Sequence, residues 1–418
     1  MEKPEKKGAY GYEAAASIMH DRASVEGILG AYRPLLGSIG AFELAEGERG
    51  PGPRCFFVLT GGTERIILEK IGAKERSLFP LILVAHPRHN SLAACLEISA
   101  RLGQEGRKCS LVFLSGPEDR KGAESLASKL ELADAMDRMA RSRIGAVGKP
   151  SDWLVASNQG AEAMTGSWGA RLVELGMDEL FMASDGQNDP GFISRASSCV
   201  EPDADDMAAS TAIYARLKSM AQERNLDALS LRCFDLVTGK SATGCYALSR
   251  LSDEGVDSGC EGDIPSVLAL RWMRLLTGKT GWMANPADFR IVGDSGSLLL
   301  AHCTIPLSLT SSYGVRSHFE SGLGVAIAGA VREGEVTIVR IGGARLEKVW
   351  FAEGLLKAQK PEEGLCRTQA RVEIGAKAVS SLLERPLGNH LVLVHGHWGT
   401  KIRAYVSMSA ALEMAEGT

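Results

Sequence analysis

The feature that most constrains this chain is the alternation of short apolar runs with amphipathic segments that begins near residue 55. "RCFFVLTGGTE" reads as a strand entering a Gly-rich turn. "FPLILVAHPRHNSLAACLEISARLGQEG" reads as a strand, a loop with Asn90 and Ser91 as cap candidates, and a helix ending near Gly103–Gly106. "KCSLVFLSG" is another strand, and "IGAVGKPSDWLVAS" (Ile144–Ser157) repeats the theme. Strands alternating with helices predict doubly wound, mostly parallel sheets. Helices are expected over 206–225, in "GCYALSRLSDEG", and in "PSVLALRWMRLLTG" with Gly278 as its stop. "LDALSLRCFDL" reads as a buried strand ending at Asp235. From about residue 300 the runs turn β-rich, with "REGE" between two strands, which predicts a separate antiparallel or mixed sheet. At 418 residues, two or three domains are expected. Residues 1–50 read as a peripheral, partly helical arm.

Charge and cysteine usage narrow the function classes. The formal net charge is -4 and no long basic run occurs, so nothing points to nucleic acid. Nine scattered cysteines without a CxxC pair read as reduced thiols. The polar start "MEKPEKKGAYGYE" has no apolar stretch behind it, and the apolar runs are too short or too interrupted to span a bilayer. These features predict a cytoplasmic protein with no membrane partner.

Potential metal ligands gather at the ends of predicted strands, where α/β folds place their sites. Asp235 ends "SLRCFD", Glu261 and Asp263 lie in "CEGDIPSVLAL", His302 in "LLLAHCTIP" and His390 in "GNHLVLVHGHWG". Carboxylate and imidazole donors without a thiolate motif suit Mn²⁺ or another divalent ion. Each also has a plainer reading. Asp263 before Pro265 is a good helix cap, Asp235 can be a turn residue, and His302 can be a hydrogen-bonded core histidine. "TGGTE" can hold a phosphate or hydroxyl on its N–H groups or be a tight turn. "YGVRSHFESGLG" concentrates Arg316, His318 and Glu320 in what is either a site loop or a solvated one.

"LTGGTE", "NSLAACLE", "GKPSDWLVAS", "LRCFDL", "CEGDIPSVLAL", "WMANP", "AHCTIP", "SHFESGLGVAIAG", "CRTQ" and "GNHLVLVHGHWG", taken in order over roughly 55–405, resemble the L-fucose isomerase-like superfamily, which includes L-arabinose isomerases. The resemblance implies two flavodoxin-like α/β domains (1–147 and 148–300) followed by a β-rich C-terminal domain (301–418). It implies a homo-trimer or homo-hexamer with the site between subunits. It further implies Mn²⁺, a small-molecule sugar substrate, and aldose–ketose isomerisation through an ene-diol. By motif position, Asp263 resembles the second family acid, His390 the family histidine, and Asp235 falls near the first acid, where relatives more often carry glutamate. His302 matches a second histidine of the arabinose branch. On this reading Asp235 and Asp263 move protons, and Asp235, Glu261, Asp263, His302 and His390 surround the metal. Arg316, His318, Glu320 and Trp398 contact the sugar, and Arg316 beside His318 could select a sulfonated or phosphorylated one. The competing readings are a non-catalytic sugar-binding or regulatory protein on the same scaffold, and a metal-dependent hydrolase or lyase.

Overall fold

A computed structural model describes residues 10–45, 48, 52–72, 80–181 and 189–418. The chain divides into two compact units, Met1–Arg138 with Ala404–Ala411, and Met139–Arg403 with Leu412–Thr418. Among the described residues, no helix is long and apolar enough to cross a membrane.

The first unit runs β1 (Tyr10–Ala15), α1 (Arg22–Ser38), β2 (Ala41–Glu43), β3 (Cys55–Val58), α2 (Glu64–Ile71), β4 (Leu81–Ala85), α3 (Ser91–Gln104), β5 (Cys109–Phe113) and α4 (Arg120–Arg141). Its five strands form one sheet in the order β2-β1-β3-β4-β5, parallel throughout. Every residue of β3 and β4 is buried, as a sheet covered on both faces requires. The expected N-terminal arm is not peripheral over the described residues. Tyr10–Tyr12 pair with β2 and Glu13–Ala15 with β3, so β1 lies inside the sheet. Its polar glutamate and glycine hid the strand. Residues 1–9 of that arm lie outside the described residues. The TGGTE stretch is a tight turn, with Gly62 at φ 77° and the Thr63 hydroxyl donating to the Thr60 carbonyl at 2.9 Å.

The second unit opens with β6 (Arg143–Val147), α5 (Ala161–Trp168), β7 (Arg171–Leu175), α6 (Met177–Leu180), α7 (Pro190–Arg195), β8 (Ser198–Cys199) and α8 (Ala204–Glu223). It continues with β9 (Ala228–Leu231), α9 (Phe234–Lys240), α10 (Cys245–Asp253), β10 (Asp257–Cys260) and α11 (Ile264–Thr277). A second parallel sheet has the order β10-β9-β6-β7. The chain steps from β6 outward to β7 and then back past β6 to β9. The direction of winding therefore reverses between β6 and β9, which opens a crevice at their C-terminal ends. The expected strand over "LDALSLRCFDL" stops at Leu231. Cys233 already has helical backbone angles, and Asp235 sits in the first turn of α9.

The remaining strands are β11 (Gly281–Val292), β12 (Ser295–His302), β13 (Thr310–Arg316), β14 (Ala326–Val331), β15 (Gly334–Gly342), β16 (Lys348–Lys357) and β17 (Thr368–Gly375). They are followed by α12 (Ala376–Glu384), β18 (Leu391–His395), α13 (Gly399–Met408) and β19 (Glu413–Met414). Six of them pair antiparallel in a closed ring, β15-β18-β11-β12-β17-β16 and back to β15, with β19 added along β16. The barrel interior holds an extensive apolar core, built around Trp282, Leu298, Leu300, Ile338, Trp350 and Leu393. The barrel's first strand starts at Gly281, ahead of the change in sequence character at 300. Pro286 interrupts its alternation where the register shifts to a bulge. β13, β14 and β8 form a separate small sheet. The architecture is thus mixed α/β, with parallel sheets followed by a β-rich part.

Candidate active site

Glu261 follows β10, and its position is fixed by an unusual backbone. Glu261 and Gly262 both adopt the left-handed region, with φ of 63° and 74°. Such a φ is costly for a glutamate and marks a turn that its surroundings hold in place. The Gly262 N–H donates to the Leu231 carbonyl at 3.1 Å, and the Ser151 N–H to the Glu261 carbonyl at 2.8 Å. Asp263 then caps α11, its Oδ1 accepting from the Ser266 N–H at 2.8 Å, with Pro265 in the first turn. The helix start read from the sequence is therefore real.

The barrel supplies the imidazoles. Asn285 of β11 pairs with Ala301, and the neighbouring Ala284 with Leu391. His302 at the end of β12 and His390 just before β18 therefore meet at one end of the barrel, with ring centroids 5.6 Å apart. Glu261, His302 and His390 are all buried, and each offers a ligand atom within 4.8 Å of the others. The hydrogen bonds identify those atoms. His302 Nδ1 is 2.9 Å from the Thr304 hydroxyl, and His390 Nδ1 is 2.9 Å from Asp263 Oδ2. The Nε2 atoms are left to face the centre. His390 Nε2 is buried and faces Glu261 Oε1 at 3.3 Å, an ion pair when the imidazole is protonated.

The polar shell behind the triad is dense. Asp263 is wholly buried and also accepts from Arg340 Nη1 at 3.2 Å. Arg340, 1 % exposed, donates as well to the Ser266 and Ser157 hydroxyls and to the His390 and Leu387 carbonyls. Burial pushes the Asp263 carboxyl up, but the Arg340 charge and His390 outweigh it and hold it well below the usual carboxylate range. Burial likewise opposes ionisation of Glu261, but His390, His302 and the Trp153 N–H bring its carboxyl down to about 2. Burial and the neighbouring His390 push the His302 imidazole down to about 3. Burial works against a charged His390, but the Asp263 and Glu261 carboxylates raise it to about 9.

Two imidazoles and one carboxylate form a donor set for a borderline divalent ion such as Mn²⁺, Fe²⁺ or Zn²⁺. Buried imidazoles that face a buried carboxylate, with all three donor atoms within 4.8 Å of one another, fit such an ion. The Asp263–His390 contact is the carboxylate–imidazole partnership that orients metal-binding histidines.

The other expected residues fall in three places. Asp235 lies outside the triad, its Oδ1 accepting from Arg232 Nε at 2.9 Å. In the turn after β13, His318 Nδ1 lies 3.1 Å from the Ser321 hydroxyl, Glu320 is exposed, and Arg316 forms an ion pair with Glu201. The paired Arg316 holds the Glu201 carboxyl down at about 2. Trp398 donates its indole N–H to the His395 carbonyl at 2.9 Å. Two residues at the triad went unread in the sequence, Arg340 and Trp153, whose Nε1–H donates to Glu261 Oε2 at 2.7 Å.

No family model matches the chain. Among curated proteins it is similar to the sulfoquinovose isomerase of Alkalicoccus urumqiensis, 24 % identical over 339 residues, which covers 75 % of this chain and 73 % of that protein. Sulfoquinovose isomerases of Priestia aryabhattai and Priestia megaterium are each 25 % identical over 332 residues, covering 74 % of this chain and 72 % of theirs.

Proposed function

We propose that the protein is a metal-dependent aldose–ketose isomerase acting on a sulfonated sugar of the sulfoquinovose class, built on an L-fucose isomerase-like scaffold. The observation that carries this reading is the buried Glu261–His302–His390 triad in a chain similar to three sulfoquinovose isomerases. Glu261, His302 and His390 would hold the divalent ion, with Mn²⁺ the first choice. When bound, that ion supplies Lewis-acid polarisation of the sugar carbonyl.

The chain's own residues do the remaining work. Isomerisation takes a proton from C2 and returns one at C1 through an ene-diol, while the O2 hydroxyl gives up its proton and O1 gains one. His318 is the proton carrier in this proposal. Burial lowers its pKa, and its Nδ1 is engaged by Ser321, so Nε2 is the accepting atom. Asp263, sealed in hydrogen bonds, orients His390, while Asp235 holds Arg232 beside Phe234. Arg316 and Arg367 both face Glu201, and this arginine pair is the proposed holder of the sulfonate.

The test is proton NMR of sulfoquinovose and of glucose incubated with the Mn²⁺-loaded protein. Ketose signals from the sulfonated sugar, with glucose turned over at least tenfold more slowly, are expected. Equal turnover of both sugars would remove the sulfonate assignment, and turnover of neither would remove the isomerase.

A further inference from the structure

Trp153 is at once the most solvent-open tryptophan of the chain and a hydrogen-bond partner of the triad. Its residue is 51 % exposed, whereas Trp168, Trp272, Trp282 and Trp350 are at most 3 % exposed. It lies in the loop after β6, and Phe234 lies in the first turn after β9. The two rings meet edge to face across the crevice where the winding of the parallel sheet reverses, with centroids 4.9 Å apart. Phe234 in turn meets the His318 ring at 5.7 Å. An aromatic wall therefore leads from Glu261 to the His318 turn.

The loop that carries Trp153 is pinned. Ser151 is tied to the Glu261 carbonyl, and the Pro150 carbonyl accepts from Arg232 Nη1 at 2.6 Å. A Cβ at Gly262 would stand 2.7 Å from both the Lys149 carbonyl oxygen and Pro150 Cα, so the loop rests directly on the Glu261 turn. The indole N–H occupies Glu261 Oε2 and leaves Oε1 turned toward His390 Nε2.

We infer that Trp153 is a positioning residue that presents Glu261 to a divalent ion through one oxygen, and that its open face is the platform on which the C–H face of the sugar lies. The first role rests on the proposed metal site and the second on the isomerase reading. Partners that orient metal ligands change metal affinity about 10–100-fold when removed. An indole face offers a sugar a broad apolar surface with little side-chain freedom to lose.

Two substitutions separate the roles. W153F keeps an aromatic face and loses the donor, whereas W153Q keeps an amide donor and loses the face. Mn²⁺ affinity is read by electron paramagnetic resonance titration without sugar, and KM by steady-state turnover of sulfoquinovose. W153F is expected to weaken Mn²⁺ binding about tenfold or more while KM at saturating Mn²⁺ stays within about threefold, since the aromatic face is kept. W153Q should show the reverse, near-native Mn²⁺ affinity with KM raised about fivefold or more through loss of that face. Unchanged Mn²⁺ affinity in W153F overturns the positioning role, and unchanged KM in W153Q overturns the platform. A wild-type protein that binds Mn²⁺ and turns over no sugar overturns the isomerase reading and the platform together, while the Mn²⁺ comparison still decides the positioning role.

Discussion

Replacing Arg340 by methionine removes the guanidinium that faces the wholly buried Asp263 and leaves the His390 imidazole as its one remaining ion-pair partner among the described residues. Methionine is apolar and similar in length, so the substitution tests charge and hydrogen bonding more than volume. The guanidinium is 1 % exposed, and its five recorded contacts are all to buried or half-buried groups. Asp263 would keep only the Ser266 N–H and His390 Nδ1. Taking one partner from a buried pair costs about 3–5 kcal/mol, which is about two to nearly four powers of ten in the folding equilibrium. Asp263→Asn in the same background removes the stranded charge, so R340M/D263N should lose less than the sum of the single variants. A coupling of about 2 kcal/mol is expected for groups in one buried network. The assay is urea unfolding of the four proteins, followed by far-ultraviolet circular dichroism at one pH. A loss below about 1 kcal/mol in R340M, or strict additivity in the double variant, would refute the view that Arg340 is the counter-charge of the site.

Glu261→Gln and His302→Asn should each weaken Mn²⁺ binding by at least about 100-fold in titration calorimetry, since each removes a proposed ligand, while the melting temperature in scanning calorimetry moves by only a few degrees. Gly262→Ala forces a side chain onto a φ of 74° and against Lys149 and Pro150. A stability loss of about 1–3 kcal/mol in urea unfolding, with weaker Mn²⁺ binding, is the expected result. Asp257 provides a pH signature away from the triad. Burial, opposed by Arg274 and Arg271, raises its carboxyl from 3.8 to about 6. The folded chain then holds this proton more tightly than the unfolded one, so its contribution is full below pH 3.8 and is lost as pH rises through 6. The stability difference between wild type and D257N should therefore change by about 2 kcal/mol between pH 4 and 7, and parallel pH profiles would contradict it.

The elements with a clean period were legible in the sequence. Gly278 ends α11 in the left-handed conformation, Asp263 and Pro265 start it, and the helices expected over 206–225 and in "GCYALSRLSDEG" are α8 and α10. Glu261, His302 and His390 could be named because imidazoles and acids at strand ends stand out, but their meeting depends on the register of β11 against β12 and β18. Arg340 was hidden for the opposite reason. It lies in the apolar run of β15, where one charge looks like a surface position, and its partner is 77 residues away. Trp153 was quoted within "GKPSDWLVAS" without a role, because its partner Glu261 lies 108 residues further on. Asp235 looked like a strand-end ligand because "LDALSLRCFDL" reads as one strand up to it; the chain turns into α9 after Leu231, and the Asp235 carboxylate accepts from Arg232.

The central claim is that a divalent ion held by Glu261, His302 and His390 permits sugar isomerisation by proton transfer. The most direct measurement compares the Mn²⁺-loaded protein with the chelator-treated protein by proton NMR in D₂O, with sulfoquinovose as substrate. The account predicts ketose carrying deuterium at C1 in the loaded sample alone. A sugar left unchanged while Mn²⁺ is shown to be bound at one ion per chain would contradict it.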